Sequence, residues 1–191
     1  MKSEWAIWKN LFTPKECDSI IERAYSLTIQ FEDGTIGNDV YGKRGVDSSF
    51  RKSRIKWMGK NIFEDVFDKL WKYTIDINQE YFGTHIDYLE SMQFAEYDEL
   101  YQGEFKHHQD VLWITDNNRH RKLTCVLHLT DPNDFEGCQL NLECENDDFP
   151  KDSRTKGTVV WFPSPFRHWV TPITKGRRNC VVCWFEGPQW R

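Results

Sequence analysis

The chain has 191 residues, with 25 Lys plus Arg against 30 Asp plus Glu and a formal charge of −5. That length supports one hydrophobic core, and the mild acidity offers no basic field for nucleic acid or an anionic membrane surface. The opening run "MKSEWAIWKN" lacks the apolar segment of a secretory signal and no stretch reaches the ~18 apolar residues of a membrane span, so a cytoplasmic location is expected.

Thr13, Pro14 and Glu16 form a helix-start signal, and Ile20, Ile21 and Ala24 follow as an apolar stripe. Residues 33–50 carry four glycines (Gly34, Gly37, Gly42 and Gly45) and read as a long loop of the kind that walls or covers a site. Apolar residues at Ile62, Phe63, Val66, Phe67, Leu70 and Trp71 repeat at helical spacing, which predicts a second helix lying on a sheet.

From residue 88 onward the period shortens to two. "SMQFAEY", "KLTCVLHLT", "GCQLNLE", "GTVVWFP", "HWVTPI" and "RRNCVVCWFE" read as strands separated by turns rich in Asp, Asn, Gly and Pro. Helices first and strands afterwards, without alternation, disfavour a parallel α/β fold. The expectation is a mainly β fold with packed α-helices, a single unit over 1–191 in which helices at about 13–80 support an antiparallel barrel or two-sheet core at about 88–188.

The heavy aromatic content, with nine Trp, thirteen Phe and seven Tyr, suits such a core and leaves rings to line a cavity. The six cysteines are scattered in apolar segments and read as buried thiols. "CVVC" at Cys180–Cys183 has redox-motif spacing, but residues three apart on a strand point to opposite faces, which argues against both a disulfide pair and a zinc site there.

Chemistry concentrates in "YQGEFKHHQDVLW" at residues 101–113. Two histidines and one carboxylate on one face of a divalent ion make the facial triad of non-haem iron(II) sites. His108 and Asp110 are two apart and point the same way from an extended chain, whereas His107 points the other way. "HID" at His85–Asp87 has equal local spacing but falls at a helix exit. His168 is the candidate third ligand, with a structural role equally open on spacing alone. His120 lies in a polar run and reads as solvated, and His128 alternates within a strand.

"YQGEFKHHQD", "RKLTCVLHLTDPNDFEGCQL", "GTVVWFPSPFRHWVTPITKGRRN" and "WFEGP" together resemble the successive motifs of the iron(II) and 2-oxoglutarate-dependent dioxygenases, in the prolyl 4-hydroxylase-like branch with its small bacterial and phage-encoded members. The resemblance implies a double-stranded β-helix, or jelly-roll, core with His108, Asp110 and His168 as catalytic iron ligands. It implies that Arg178 holds the distal carboxylate of 2-oxoglutarate, a task suited to a guanidinium's paired donors, and leaves Arg177 as a solvated neighbour. By the same resemblance Tyr97 and His128 are candidate cosubstrate contacts, His128 with packing as its alternative. Leu140 would wall the cosubstrate pocket, and Leu127, Leu129 and Trp184 belong to the core. A usual pair of glycines is here Gly137 and Cys138, a departure expected to alter only strand packing.

The implied activity is hydroxylation of an unactivated C–H bond, most simply of a prolyl residue in a peptide or protein, with Fe(II), 2-oxoglutarate and oxygen, ascorbate as an accessory, and succinate and carbon dioxide as products. Tyr41, Arg51, Arg54 and Trp57 are candidates for a peptide groove, a solvated face being the plainer account of the arginines. A small-molecule or nucleic-acid-base dioxygenase, or a non-catalytic or isomerase-like metal-binding barrel, are the alternatives. The last of these would not need Arg178.

Overall fold

The computed structural model describes residues 1–36, 45–145, 149–150 and 153–190. Tyr41, Gly37 and Gly42, and with them most of the expected loop tip, lie outside the described residues.

Two helices pack on one face of a large sheet. The first, α1 (Pro14–Ser26), begins where the sequence signals it. Thr13 Oγ1 accepts from the Glu16 amide, and the Glu16 carboxylate accepts from the Thr13 amide at 2.7 Å, a reciprocal pair that satisfies two otherwise orphaned donors. The second, α2 (Lys60–Ile77), buries Phe63, Val66, Phe67, Leu70, Thr74 and Ile77 and runs into a π-helical turn at Asn78–Phe82. That turn ends at Gly83 with φ 63°, a left-handed position that glycine adopts without strain.

The strands are β1 (Ala6–Trp8), β2 (Glu32–Asp33), β3 (Arg51–Lys52), β4 (Arg54–Met58), β5 (Tyr88–Leu89), β6 (Met92–Asp98), β7 (Glu104–His108), β8 (Arg119–His128), β9 (Phe135–Gly137), β10 (Leu140–Leu142), β11 (Val159–Pro163), β12 (His168–Val170) and β13 (Ile173–Pro188). The large sheet has the order β1-β11-β8-β13-β6-β4-β2, with β5 and β9 also paired to β13. A second sheet has the order β10-β12-β7-β3, and every pairing in both is antiparallel. The result is a mixed fold dominated by sheet with helices packed on it. Among the described residues no strand pairing joins the two sheets into a closed barrel.

Three features differ from the sequence reading. β2, β3 and β4 lie within the region read as helical support, because β4 pairs with β6 and, with β2 beyond it, extends the large sheet. "GCQLNLE" divides into β9 and β10, which join different sheets. The break falls at Gly137 (φ 76°) and Cys138 (φ 49°), both left-handed. At Gly137 a β-carbon would come 2.3 Å from the Pro172 carbonyl oxygen, so glycine is required, while Cys138 carries a side chain in a conformation most residues avoid. The cysteine that stands for a second glycine therefore alters backbone cost as well as packing.

Period-two alternation on the large sheet separates two cores. Val181, Cys183 and Phe185 of β13, with Leu123, Cys125 and Leu127 of β8, face the helices and join Leu70, Phe63 and Ile20. Leu127 and Leu129 are core residues, as expected. The intervening Cys180, Val126, Val160 and Phe162 face the small sheet and meet Leu140, Leu142 and Val170. Cys180 and Cys183 accordingly fall on opposite faces, both as free thiols.

Candidate metal centre and pocket

The second, inter-sheet space opens into a pocket. Its floor comes from alternate residues of the large sheet: Gln93 and Tyr97 of β6, and Arg178, Cys180, Val182 and Trp184 of β13. Its opposite wall comes from β7 and β12, which pair with His168 opposite His108.

Strand β7 ends at His108, so His108 and Asp110 do not share a strand as the sequence suggests. Beyond β7 the chain is held by the Asp110 amide donating to the Ser164 carbonyl at 2.9 Å and by Gln109 Nε2 donating to the Pro165 carbonyl at 2.6 Å. This turn toward the β11–β12 connection still brings the Asp110 carboxylate between the two imidazoles. Asp110 Oδ1 lies 3.7 Å from His108 Nε2, and Oδ2 lies 3.4 Å from His168 Nε2. Among the described residues, His108, Asp110 and His168 form the one cluster whose ligand atoms lie close enough to share an ion, all within 4.8 Å of one another.

Hydrogen bonds orient the donors. His108 Nδ1 faces the Lys106 carbonyl at 2.7 Å and His168 Nδ1 faces the Phe166 carbonyl at 3.0 Å. A proton on each Nδ1 would leave the Nε2 lone pair free to bind metal, and a backbone acceptor fixes that tautomer. Thr124 Oγ1 donates to Asp110 Oδ2 at 2.9 Å and lies 3.0 Å from Ser164 Oγ. Burial and the neighbouring His168 push the His108 pKa down to about 3. Burial opposes ionisation of Asp110, but His168 and His108 outweigh it and hold its carboxyl well below the usual range. A carboxylate with an unprotonated imidazole is what binding a divalent ion requires.

Deeper in the pocket lies Arg178, only 1% exposed. Its Nη1 reaches Cys138 Sγ at 3.8 Å, its Nη2 lies 3.3 Å from His128 Nδ1, and its Nε is buried without a partner. The guanidinium sits 5.4 Å from the Tyr97 ring centroid, and Leu140 lines the same space. No carboxylate among the described residues pairs with it. A buried, unneutralised guanidinium is costly unless an anion completes it, so these residues fit a ligand carboxylate. Burial, with Arg178 adjacent, holds His128 well below its usual pKa and therefore neutral, and His128 Nε2 is likewise buried without a partner.

Other sequence candidates separate. His107 is turned away and stacks on Trp169, ring centroids 4.0 Å apart. His85 and Asp87 are exposed, and Asp87 bonds Arg119. His120 is buried, with its ring nitrogens at the Trp113 carbonyl and the Trp190 amide, because β8 begins at Arg119 and draws the polar run into the sheet. Arg177 is paired with Asp98 at 2.6 Å and is not simply solvated. Arg54 pairs weakly with Glu96 and lies over Phe31, away from the pocket. Trp57 and Trp184 line the pocket, so Trp184 is wall and not plain core.

Sequence reasoning passed over Arg121 and Gln93 and left Arg51 as a solvated residue or a groove candidate. All three line the pocket. Gln93 shares strand parity with Tyr97 and could have been found that way. Arg121 and Arg51 carry no such signal, since exposed strands also alternate charged residues.

Residues 92–186 match the family model described as the 2OG-Fe(II) oxygenase superfamily. Curated relatives include a PKHD-type hydroxylase of Colwellia psychrerythraea, 29% identical over 80 residues (42% of this chain, 35% of the relative), and one of Synechococcus, 33% identical over 78 residues (39% and 35%). The chain thus spans about a third of the length of these relatives. Among solved structures, a prolyl-4-hydroxylase of Pseudomonas putida aligns with a TM-score of 0.73 at 16% identity, covering 98% of this chain and 94% of that one. A prolyl hydroxylase of Trichoplax adhaerens, in complex with a hypoxia inducible factor peptide fragment, gives 0.77 at 16% identity over 95% and 83%.

Proposed function

The chain belongs to the 2OG-Fe(II) oxygenase superfamily, and on that premise we propose that it is a hydroxylase using Fe(II), 2-oxoglutarate and oxygen, with a prolyl residue of a peptide or protein as its substrate. The observation that carries this reading is the pairing, in one pocket, of a two-imidazole, one-carboxylate cluster with a buried guanidinium that has no carboxylate of its own. A metal-binding barrel without turnover has no use for the second element.

His108, Asp110 and His168 would hold the ion, each from one Nε2 or carboxylate oxygen. Three protein donors on one side leave coordination positions for cosubstrate and oxygen. When bound, the ion and 2-oxoglutarate supply oxidative decarboxylation, which places one oxygen atom on a substrate C–H carbon and the other in succinate, with carbon dioxide released. The protein binds, orients and shields. Arg178 would grip the distal carboxylate of 2-oxoglutarate, with neutral His128 and Tyr97 beside it and Leu140 closing the wall. Thr124 holds the Asp110 carboxylate in register. The Lys106 and Phe166 carbonyls do the same for the two imidazoles.

The two facing sheets support a double-stranded β-helix core for the whole 1–191 unit, with α1 and α2 bracing its outer face. Six free cysteines suit a reducing compartment, the basis for a cytoplasmic location. No helix among the described residues is long and apolar enough to cross a membrane.

The decisive experiment loads the protein with Fe(II) anaerobically, adds 2-oxoglutarate, admits oxygen and measures succinate. A proline-containing peptide pool should raise succinate and gain one oxygen per modified peptide by mass spectrometry. Absence of oxygen-dependent succinate under every condition would overturn the assignment.

A further inference from the structure

The pocket contains a second buried arginine besides Arg178. Arg51 is 7% exposed and lies on β3, across from the large-sheet floor. Among the described residues its hydrogen-bond partners are all neutral: Nε donates to Ser53 Oγ at 2.7 Å, Nη1 to the Thr35 carbonyl at 2.9 Å and Nη2 to Gln93 Oε1 at 2.8 Å. A guanidinium has five N–H donors. Two on Arg51 therefore have no partner among the described residues, in a group that lines the pocket.

Its position is built. Arg51 lies over the Phe105 ring at 4.5 Å, and Phe105 in turn stacks on the candidate ligand His108 with centroids 3.5 Å apart. A β-carbon at residue 34 would lie 2.3 Å from Arg51 Nε, so Gly34 leaves the space the guanidinium occupies. Burial pushes the Arg51 pKa down, and the one carboxylate acting against that is Asp110. On the hydroxylase reading Asp110 would be committed to the metal.

The third pocket arginine supplies the contrast. Arg121 is neutralised by two hydrogen bonds to the Glu90 carboxylate, at 2.6 and 2.8 Å, and packs on Trp184 as a finished structural pair. Among the described residues Arg178 and Arg51 have no such counterion, and 2-oxoglutarate would bring only one carboxylate to the distal end of its site. One buried cation remains unmatched when metal and cosubstrate are bound.

We propose that Arg51 is a carboxylate-binding subsite for the substrate, so that this enzyme selects substrates carrying an anionic carboxylate close to the carbon it hydroxylates. The proposal rests on the hydroxylase reading above. A free carboxyl terminus or small acid and an acidic side chain next to proline offer the same chemistry.

The test is a binding titration on the Fe(II)- and 2-oxoglutarate-loaded protein without oxygen, followed by the fluorescence of Trp57 and Trp184 and by calorimetry. The probes are N-acetyl-proline against its amide, and end-blocked peptides with Pro-Asp against Pro-Asn. The expected result is at least about tenfold tighter binding of the acid in one pair, the equivalent of about 1.4 kcal/mol. The first pair would identify a terminal or small-molecule carboxylate, the second a side chain.

Arg51→Gln should erase that preference while leaving 2-oxoglutarate affinity unchanged, and Arg51→Lys should restore part of it. Equal binding of acid and amide in both pairs, or a preference that survives Arg51→Gln, overturns the subsite. Oxygen-dependent succinate formation by the unaltered protein, measured in parallel, reports on the hydroxylase reading independently.

Discussion

The two faces of the large sheet are made from the same strands and have opposite characters. Toward the helices, β13 presents Val181, Cys183 and Phe185, and the space is sealed by apolar packing. Buried polar groups there find partners within the protein: Trp161 Nε1 donates to Thr74 Oγ1 at 2.8 Å, and Lys56 Nζ donates to the Ala24 and Leu27 carbonyls at 3.2 and 3.1 Å. Toward the small sheet, the same strand presents Arg178, Cys180, Val182 and Trp184, and the described polar groups include buried nitrogens without partners on Arg178, His128 and Trp184. Polar groups are buried at a cost only where something repays it. The helix face therefore specifies stability, and the pocket face holds capacity for ligands. The difference predicts that substitutions on the two faces will damage different properties.

Asp110→Ala should have the largest effect. Loss of the anionic donor should bring succinate formation to background and remove the rise in melting temperature that Fe(II) gives the unaltered protein. The metal-free protein should melt close to its original temperature. Full retention of 2-oxoglutarate decarboxylation would break the comparison.

Trp161→Ala, on the helix face, should do the reverse. Truncating a fully buried Trp costs about 3–5 kcal/mol, a fall in melting temperature of about 10 °C for a chain of this size. The fraction still folded at low temperature should turn over normally, because residue 161 faces away from the pocket. Activity lost in excess of folded protein would show that the two faces are coupled.

Smaller effects sharpen the boundary. Thr13→Ala removes one half of the α1 capping pair and should cost about 1 kcal/mol with activity unchanged, as read by chemical denaturation. Asp65→Ala, which breaks the exposed pair with Arg23, should cost less than about 1 kcal/mol. Arg23 holds the Asp65 carboxyl below its usual range. That contribution is present above the ordinary carboxylate pKa of about 4 and lost as pH falls through the lowered value, so the difference between Asp65→Ala and the unaltered protein should shrink in acid.

His107→Ala should be the mildest for turnover, within about a factor of two, since its ring stacks on Trp169 outside the cluster. An effect as large as that of His108→Ala would mean that the side-chain directions along β7 are reversed.

The sequence by itself determined the helix start at Thr13, the inward stripes of α1 and α2, the period-two strands after residue 88 and the opposite facing of Cys180 and Cys183. Each follows from local geometry, in which capping and periodicity act over a few residues. It also singled out His108 and Asp110 by their spacing, and His168 and Arg178 through the resemblance of their surrounding motifs to the iron(II) and 2-oxoglutarate-dependent dioxygenases. Tertiary structure decided what local geometry cannot reach. Asp110 enters the cluster although β7 ends two residues earlier, because Ser164 and Pro165 catch the chain across the sheet. His120, polar in sequence and flanked by charged residues, is buried because β8 starts before it. Arg51 and Arg121 look alike along the chain, yet Glu90 neutralises one and neutral partners leave the other open. Whether a charge finds a counterion depends on contacts made across the fold, and residue spacing along the chain carries no record of them.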